Sequence, residues 1–236
     1  MSDASERISN EVNHGSGSAV LPMKDVGLFG EFRSEFLKRA ADGCEIDTLR
    51  QKMKGMSNAD INKLMIQLLG FADASETVIR SCPDIVSALS GTELFVQRRA
   101  NIIMNFPGDD QRHQWPHYEL MSGVSPFTYV LWAPLHDLDD DGGMFYLDDS
   151  ESHEIMQHEF KSGLVNSPKM FEMVGDRKPL KIKYGEVVVF NPFVLHGNSY
   201  FKSELSRIAV SVRFQSLYKP IMQKNSDYFK VLRLDG

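Results

Sequence analysis

Residues 180–198 read LKIKYGEVVVFNPFVLHGN. A short strand-like segment from Leu180 meets a tight turn at Tyr184-Gly185-Glu186, and a nearly continuous apolar run follows to Phe190. Asn191-Pro192 closes that strand, and His196 stands where the next apolar residues end. A strand this apolar is covered on both faces, so the chain contains a packed sheet. A lone histidine at such a point is ordinarily structural, and its meaning depends on what the rest of the chain brings to it.

Toward the C-terminus, Arg207 opens RIAVSVRFQ. Strand alternation puts Arg207, Ala209, Ser211 and Arg213 on one side and Ile208, Val210, Val212 and Phe214 on the other. An arginine on the inner face of a small barrel is costly unless it meets an anion. Toward the N-terminus, QWPHYELMSG holds His117 and Glu119, which an extended strand would present to one face while Tyr118 points to the other. His-x-Glu alone is a common surface pattern. The ordered set of His117, Glu119, a distant His196 and Arg207 is more informative. Two imidazoles and one carboxylate on one face of an octahedral Fe(II) leave three positions open, two for a bidentate 2-oxo acid and one for dioxygen. A guanidinium fork suits the remaining carboxylate of a dicarboxylic co-substrate, because it donates two parallel hydrogen bonds and keeps its charge.

The periodicity around these residues divides the chain. From Val26 to about Ser90 the spacing is helical. Leu28, Phe32, Phe36 and Leu37 line one helix, a second spans about Ile46 to Lys54, and Ser57 with Asp60 forms a capping signature ahead of Ile61, Leu64, Met65, Leu68 and Leu69. A short helix begins at Pro83. After Gly91 the period becomes two, with strands expected at Leu94 to Phe106, His117 to Met121, Phe127 to Trp132, Met144 to Leu147, Leu180 to Tyr184, Val187 to Phe190 and Ile208 to Phe214. Residues 1–20, rich in Ser, Asn, Glu and Gly, read as a disordered tail. The remainder, 21–236, reads as one catalytic domain: helical support over 21–90, a β core over 91–215 and a C-terminal segment over 216–236.

Over about Arg98 to Gln215 the sequence resembles the Fe(II)/2-oxoglutarate-dependent oxygenases, in particular the phytanoyl-CoA dioxygenase-like and streptomycin-biosynthesis-type branch. The resemblance rests on WPHYE, TYVLWAPLHDLDDDGGMFYL and YGEVVVFNPFVLHGN through SRIAVSVRF. It implies a mainly β fold with helical support, α+β overall, built on a double-stranded β-helix (a cupin-like jelly roll) preceded by the helical region. By the same resemblance His117, Glu119 and His196 would hold iron and Arg207 would bind the distal carboxylate of 2-oxoglutarate. Thr128, Ser211 and Asn198 are candidates for further contacts to the co-substrate or its neighbours. The activity implied is hydroxylation of a C–H bond in a small-molecule substrate, natural-product or carrier-linked, with 2-oxoglutarate and O2 converted to succinate and CO2. Many members of that branch carry Asp where this chain has Glu119, and a retained carboxylate speaks against halogenation, which needs that position vacated. Two rivals share the barrel: a cupin-type metalloenzyme such as an isomerase without 2-oxoglutarate, and a non-enzymatic ligand-binding β-barrel.

Composition bounds the partners. Lys and Arg number 26 against 32 Asp and Glu, a net charge of -6, so the chain as a whole gains nothing from nucleic-acid phosphates. Cys44 and Cys82 stand alone, which excludes a disulfide framework or zinc finger and fits a reducing cytoplasm. No run of roughly 18 apolar residues suggests a membrane span, nor does the start read as a signal peptide. A monomer or homodimer is expected. Three other motifs fare worse. His136 precedes an Asp137 to Asp148 stretch that imitates a calcium loop, but the residues leading in read as strand, so an acidic turn is the better reading. His153 and His158 are five apart, which puts them about 140° apart around a helix. Pro116 interrupts a continuous helix between His113 and His117, so they are not a helical ligand pair.

Overall fold

The computed structural model describes residues 3–69, 74–106, 114–139, 143–162, 168–198, 204–222 and 226–234. The chain begins with helix α1 (Asp3–His14) and strand β1 (Ser18–Pro22). Five helices follow: α2 (Val26–Ala41), α3 (Ile46–Met53), α4 (Asn58–Leu69), α5 (Ala74–Ser81) and α6 (Pro83–Ser90). Strands β2 (Glu93–Gln97), β3 (Asn101–Asn105), β4 (Tyr129–Pro134) and β5 (Met144–Tyr146) come next. Helices α7 (Asp149–Ser162) and α8 (Pro168–Val174) then interrupt the β half. The chain closes with β6 (Glu186–Phe190), β7 (His196–Asn198), β8 (Arg207–Ser216) and β9 (Phe229–Arg233).

The helices start and stop where side chains can satisfy free backbone groups. Asp25 accepts from the Leu28 amide at 2.8 Å to cap α2, and Ser57 Oγ accepts from the Asp60 amide at 3.2 Å to cap α4. Pro83 opens α6, where its missing N–H costs nothing. All described strand pairs are antiparallel. One sheet runs β1-β6-β4-β8-β2-β9 with β3 also paired to β8, and β5 pairs β7 in a second, smaller sheet. This is a jelly roll with helical support, an α+β fold as the sequence implied.

The alternation on β8 explains how the layers separate. Ile208, Val210, Val212 and Phe214 face the helices and join Phe29, Phe36 and Ile79 in the larger core. Ala209, on the other face, packs with Val130, Trp132, Val188 and Phe190 inside the barrel. Each such fully buried side chain contributes about 1.5–3 kcal/mol. A third cluster, with Tyr118, Leu147, Ile155 and Leu195, lies between the small sheet and helices α7 and α8.

Residues 3–14 and 18–22 are ordered elements, where a loose tail over 1–20 was expected. The reason is an edge: β6 offers backbone groups that β1 pairs with from Ser18↔Phe190 to Pro22↔Glu186, and Asn191 Nδ2 donates to the Val12 carbonyl at 2.9 Å. Val12 is fully buried as a result. The turn between the two elements needs Gly17, which has φ +82° and where a Cβ would fall 2.7 Å from Val194 Cγ2. The expected strand from Leu94 to Phe106 is two strands, β2 and β3, and the expected strand at His117 to Met121 is a single bridge followed by a 3-10 turn at Glu119–Ser122. Helices α5, α7 and α8 were not anticipated. In the C-terminal segment, β9 pairs β2.

Candidate metal centre

His117 and His196 come together because their backbones pair. The His117 amide donates to the His196 carbonyl at 2.9 Å and the His196 amide returns the bond at 3.1 Å. The approach depends on Gly197, where a Cβ would sit 3.0 Å from Pro116 N and 3.1 Å from the Gln114 carbonyl. The intervening Tyr118 points away, buried in the third cluster, and its hydroxyl donates to the Ser152 carbonyl on α7 at 2.8 Å. Ser152 Oγ in turn accepts from the Leu195 amide at 2.9 Å, so one residue of α7 ties down both ligand-bearing segments. Glu119 then enters the site from the first residue of the 3-10 turn.

The ligand atoms of His117, Glu119 and His196 all lie within 4.8 Å of one another, and among the described residues no other cluster of His, Cys, Asp or Glu does this. Both imidazoles are oriented by their own chain. His117 Nδ1 is 2.7 Å from the Trp115 carbonyl and His196 Nδ1 is 3.0 Å from the Val194 carbonyl. A carbonyl oxygen only accepts, so each Nδ1 carries the proton and each Nε2 presents a lone pair. His196 Nε2 faces Glu119 Oε1 at 3.5 Å, two acceptors in an arrangement that favours a cation between them. Burial, followed by the neighbouring His196, lowers the His117 pKa to about 4, so the ring is neutral and available at pH 7. Burial works to raise the Glu119 pKa, but the Arg213 guanidinium bound to Oε2 opposes it, and the carboxyl stays below its ordinary range.

Arg207 lies deeper in the same barrel and is 1% exposed. Its Nη2 donates to Asn105 Oδ1 and, at 2.6 Å, to Asn198 Oδ1, while its guanidinium lies 5.7 Å from the Trp132 ring. Among the described residues, Arg207 Nε, Arg207 Nη1 and Asn198 Nδ2 are buried without a hydrogen-bond partner. Burial lowers the arginine pKa to about 9, which leaves it charged at neutral pH. Three unpartnered donors around one buried cation form a receptor for an anion with several acceptor oxygens. Trp132 and Ser211 line the cavity shared with His117, Glu119 and His196, and Asn198 sits two residues beyond His196 against Arg207.

Thr128 does not join them. It is fully buried on the approach to β4, and its hydroxyl donates to Gln215 Oε1 at 2.9 Å. The neighbouring Tyr129 also faces away from the site, with its ring on Phe214 and its hydroxyl on Asn13. The residue that sequence reasoning passed over is Arg213, whose Nε and Nη2 both reach Glu119 Oε2 at 2.6 Å. Its place on the inner face of β8, two steps past Ser211, was the signal available.

The acidic stretch is not preceded by a helix. Strand β4 leads into it, Asp137 Oδ1 accepts from the Tyr184 amide at 2.8 Å, and Asp148 caps α7 by accepting from the Glu151 amide at 2.8 Å. Residues 140–142 of that stretch, and His113, lie outside the described residues. His153 stacks on Phe193, away from the triad.

No protein-family model matches the chain, and no curated protein matches it in sequence. Solved structures do match. The epimerase SnoN in complex with Fe3+, alpha-ketoglutarate and nogalamycin RO aligns over 98% of this chain and 99% of its own at a TM-score of 0.56 and 14% identity. The chain shares its fold. HygX from Streptomyces hygroscopicus with nickel and 2-oxoglutarate bound aligns over 97% and 93% at a TM-score of 0.52 and 12% identity. The non-heme alpha-ketoglutarate-dependent carbocyclase SnoK from nogalamycin biosynthesis aligns over 98% and 96% at 0.52 and 15%. Among the described residues, no helix is long and apolar enough to cross a membrane.

Proposed function

We propose that the chain is an Fe(II)- and 2-oxoglutarate-dependent oxygenase that hydroxylates a C–H bond of a small-molecule substrate. The observation that carries this reading is the pairing of two buried sites: three ligand atoms converging on one point, and Arg207 with unpartnered donors in the same barrel. A cupin-type isomerase has use for the first and none for the second, and a simple binding barrel has use for the second and none for the first. The fold neighbours whose structures hold Fe3+ or nickel together with the 2-oxo acid support the same choice.

In this reading His117 Nε2, His196 Nε2 and Glu119 Oε1 would hold the metal, and Arg207 would receive the distal carboxylate of 2-oxoglutarate. Iron with 2-oxoglutarate and dioxygen supplies a two-electron oxidation, the co-substrate leaving as succinate and CO2. The chain's own work is orientation. The Trp115 and Val194 carbonyls keep the ring protons off the ligand nitrogens, and Asn105 and Asn198 aim the Arg207 guanidinium. Trp132 and Phe190 wall the cavity and exclude water. Beside the His117 segment, Trp115 is 54% exposed and meets Phe171 edge to face, an aromatic surface suited to an organic substrate with apolar area.

SnoN is an epimerase and SnoK a carbocyclase, so the outcome of the reaction is tested separately from its cofactors. Calorimetry should show 2-oxoglutarate binding that requires Fe(II) under anaerobic conditions and is lost in Arg207→Ala. Binding without metal, or undiminished in the variant, overturns the reading in favour of one of the two rivals. Mass spectrometry of metabolite extracts incubated with enzyme, Fe(II), ascorbate and 2-oxoglutarate should then reveal a product heavier by one oxygen atom. A product lighter by two hydrogens, or of unchanged mass, would replace hydroxylation with desaturation or ring closure, or with epimerisation.

A further inference from the structure

An arginine and a carboxylate gain most from each other fork to fork, two N–H groups on two oxygens. The Arg213–Glu119 pair is built differently. Nε and Nη2 of Arg213 both converge on Oε2, each at 2.6 Å, and Oε1 is left turned toward His196 Nε2 at 3.5 Å. Glu119 is buried and Arg213 partly so, 6% and 13% exposed, so the geometry is not the wandering of a solvated pair. The third nitrogen of Arg213, Nη1, donates to the Tyr228 hydroxyl, and the Tyr228 carbonyl accepts from the Arg98 amide at 2.8 Å. The guanidinium is therefore gripped from the C-terminal side, by the short 3-10 turn at Ser226–Tyr228 that precedes β9, while it holds one oxygen of Glu119.

We propose that Arg213, braced by Tyr228, is a positioning residue that divides the two oxygens of Glu119, occupying Oε2 so that Oε1 alone faces the metal. The inference rests on the metal-centre reading given above. A carboxylate free to swing could close both oxygens on the metal and take up a position that a co-substrate needs. One whose second oxygen is committed to a charged partner binds through a single atom and keeps the opposite positions open. The C-terminal segment then becomes part of the metal site although it supplies no ligand.

The test uses Co(II), whose absorption reports coordination number, on the full-length metal-free protein. Wild type should bind Co(II). If it does not, the metal-centre reading itself has failed and not merely this extension of it. Arg213→Gln should bind Co(II) at least 10-fold more weakly, the lower end of what loss of a ligand-orienting partner costs, and its Co(II) spectrum should change. Arg213→Lys, which keeps the charge but offers one nitrogen, should recover part of the affinity without restoring the spectrum. Tyr228→Phe should move both readouts in the same direction by less. At saturating Co(II), Arg213→Gln should also bind 2-oxoglutarate more weakly, because a carboxylate that closes both oxygens takes a position the co-substrate needs. Unchanged Co(II) affinity and spectrum in Arg213→Gln would overturn the proposal, as would a loss confined to 2-oxoglutarate, which would make Arg213 an anion receptor. Should Arg213→Gln fail to fold, an Arg213→Lys protein with wild-type affinity and spectrum overturns it equally.

Discussion

Arg207 and Arg213 share one face of β8, the first buried and the second partly so, but they live in opposite circumstances. Arg213 holds the Glu119 carboxylate at 2.6 Å and has each of its three nitrogens engaged. Arg207 has two asparagine oxygens on one nitrogen and nothing on the other two among the described residues. A buried ion pair is close to neutral in stability, because attraction offsets desolvation, whereas a buried charge without a partner costs several kcal/mol. The fold therefore carries one cation that is complete in itself and one that is complete only when an anion arrives. On the proposed function, that difference, more than the presence of two arginines, would separate what builds the metal site from what receives a ligand.

The largest effect should come from the ligands that give the comparison its meaning. Replacing His117, Glu119 or His196 by Ala should abolish substrate-coupled succinate formation, measured in the presence of excess Fe(II). Retention of coupled turnover by all three variants would sink the metal assignment. Next in size is Arg213→Met, which strands Glu119 as a buried uncompensated charge and should destabilise the metal-free protein by roughly 3–5 kcal/mol in urea unfolding. Arg207→Met should do the reverse in the absence of ligand. It removes an unpaired charge and should stabilise the protein by roughly 1–4 kcal/mol, yet abolish the rise in melting temperature that 2-oxoglutarate with metal gives wild type. If both variants shift stability in the same direction, the contrast between the two arginines is wrong.

How far this contrast could be read from sequence follows from which forces are local. The alternation RIAVSVRFQ placed Arg207, Ser211 and Arg213 on one face and the apolar residues on the other, because strand periodicity is a property of the backbone alone. The helices from Val26 to Ser90 were legible where a face was strongly apolar and a cap was present, as at Ser57. Helix α7 was not, because its sequence DSESHEIMQHEFKS buries only a narrow stripe around Ser152 and Ile155 and carries no strong apolar period. The segment at residues 1–20 misled for a related reason: its order comes from the open edge of β6, some 170 residues away, which no local composition reveals. In the site, the triad was legible as an ordered set of residue types. The partner of Thr128, which is Gln215, and the partner of Glu119, which is Arg213, were not, since each pair joins residues about 90 apart in the chain.

His136 is a third polar group beneath the same sheet, and its balance turns on a single proton. His136 is 5% exposed, its Nε2 accepts from the Ile208 amide at 3.1 Å, and its Nδ1 lies 2.8 Å from the Asp137 carbonyl. Both nitrogens are thus satisfied by the neutral ring, next to the strand that begins with Arg207. Burial, then the charge of Arg50, lowers the pKa to about 4 from an ordinary 6.5. Because the folded value lies below the unfolded one, the unfolded chain binds the proton first. Stability from this group is full above about pH 6.5 and is lost as pH falls toward about 4. Lowering the pH from 7.5 to 5 should cost the metal-free protein roughly 1–2 kcal/mol through His136, on top of the loss through His117, which moves the same way. In His136→Gln, whose amide can still accept from Ile208, that part of the pH dependence should vanish while the His117 part remains. Urea midpoints at the two pH values decide it: an unchanged slope in the variant would mean that His136 is protonated at little cost in the folded state. A flattened slope would place it with Arg213, as a buried polar group whose needs the fold itself meets.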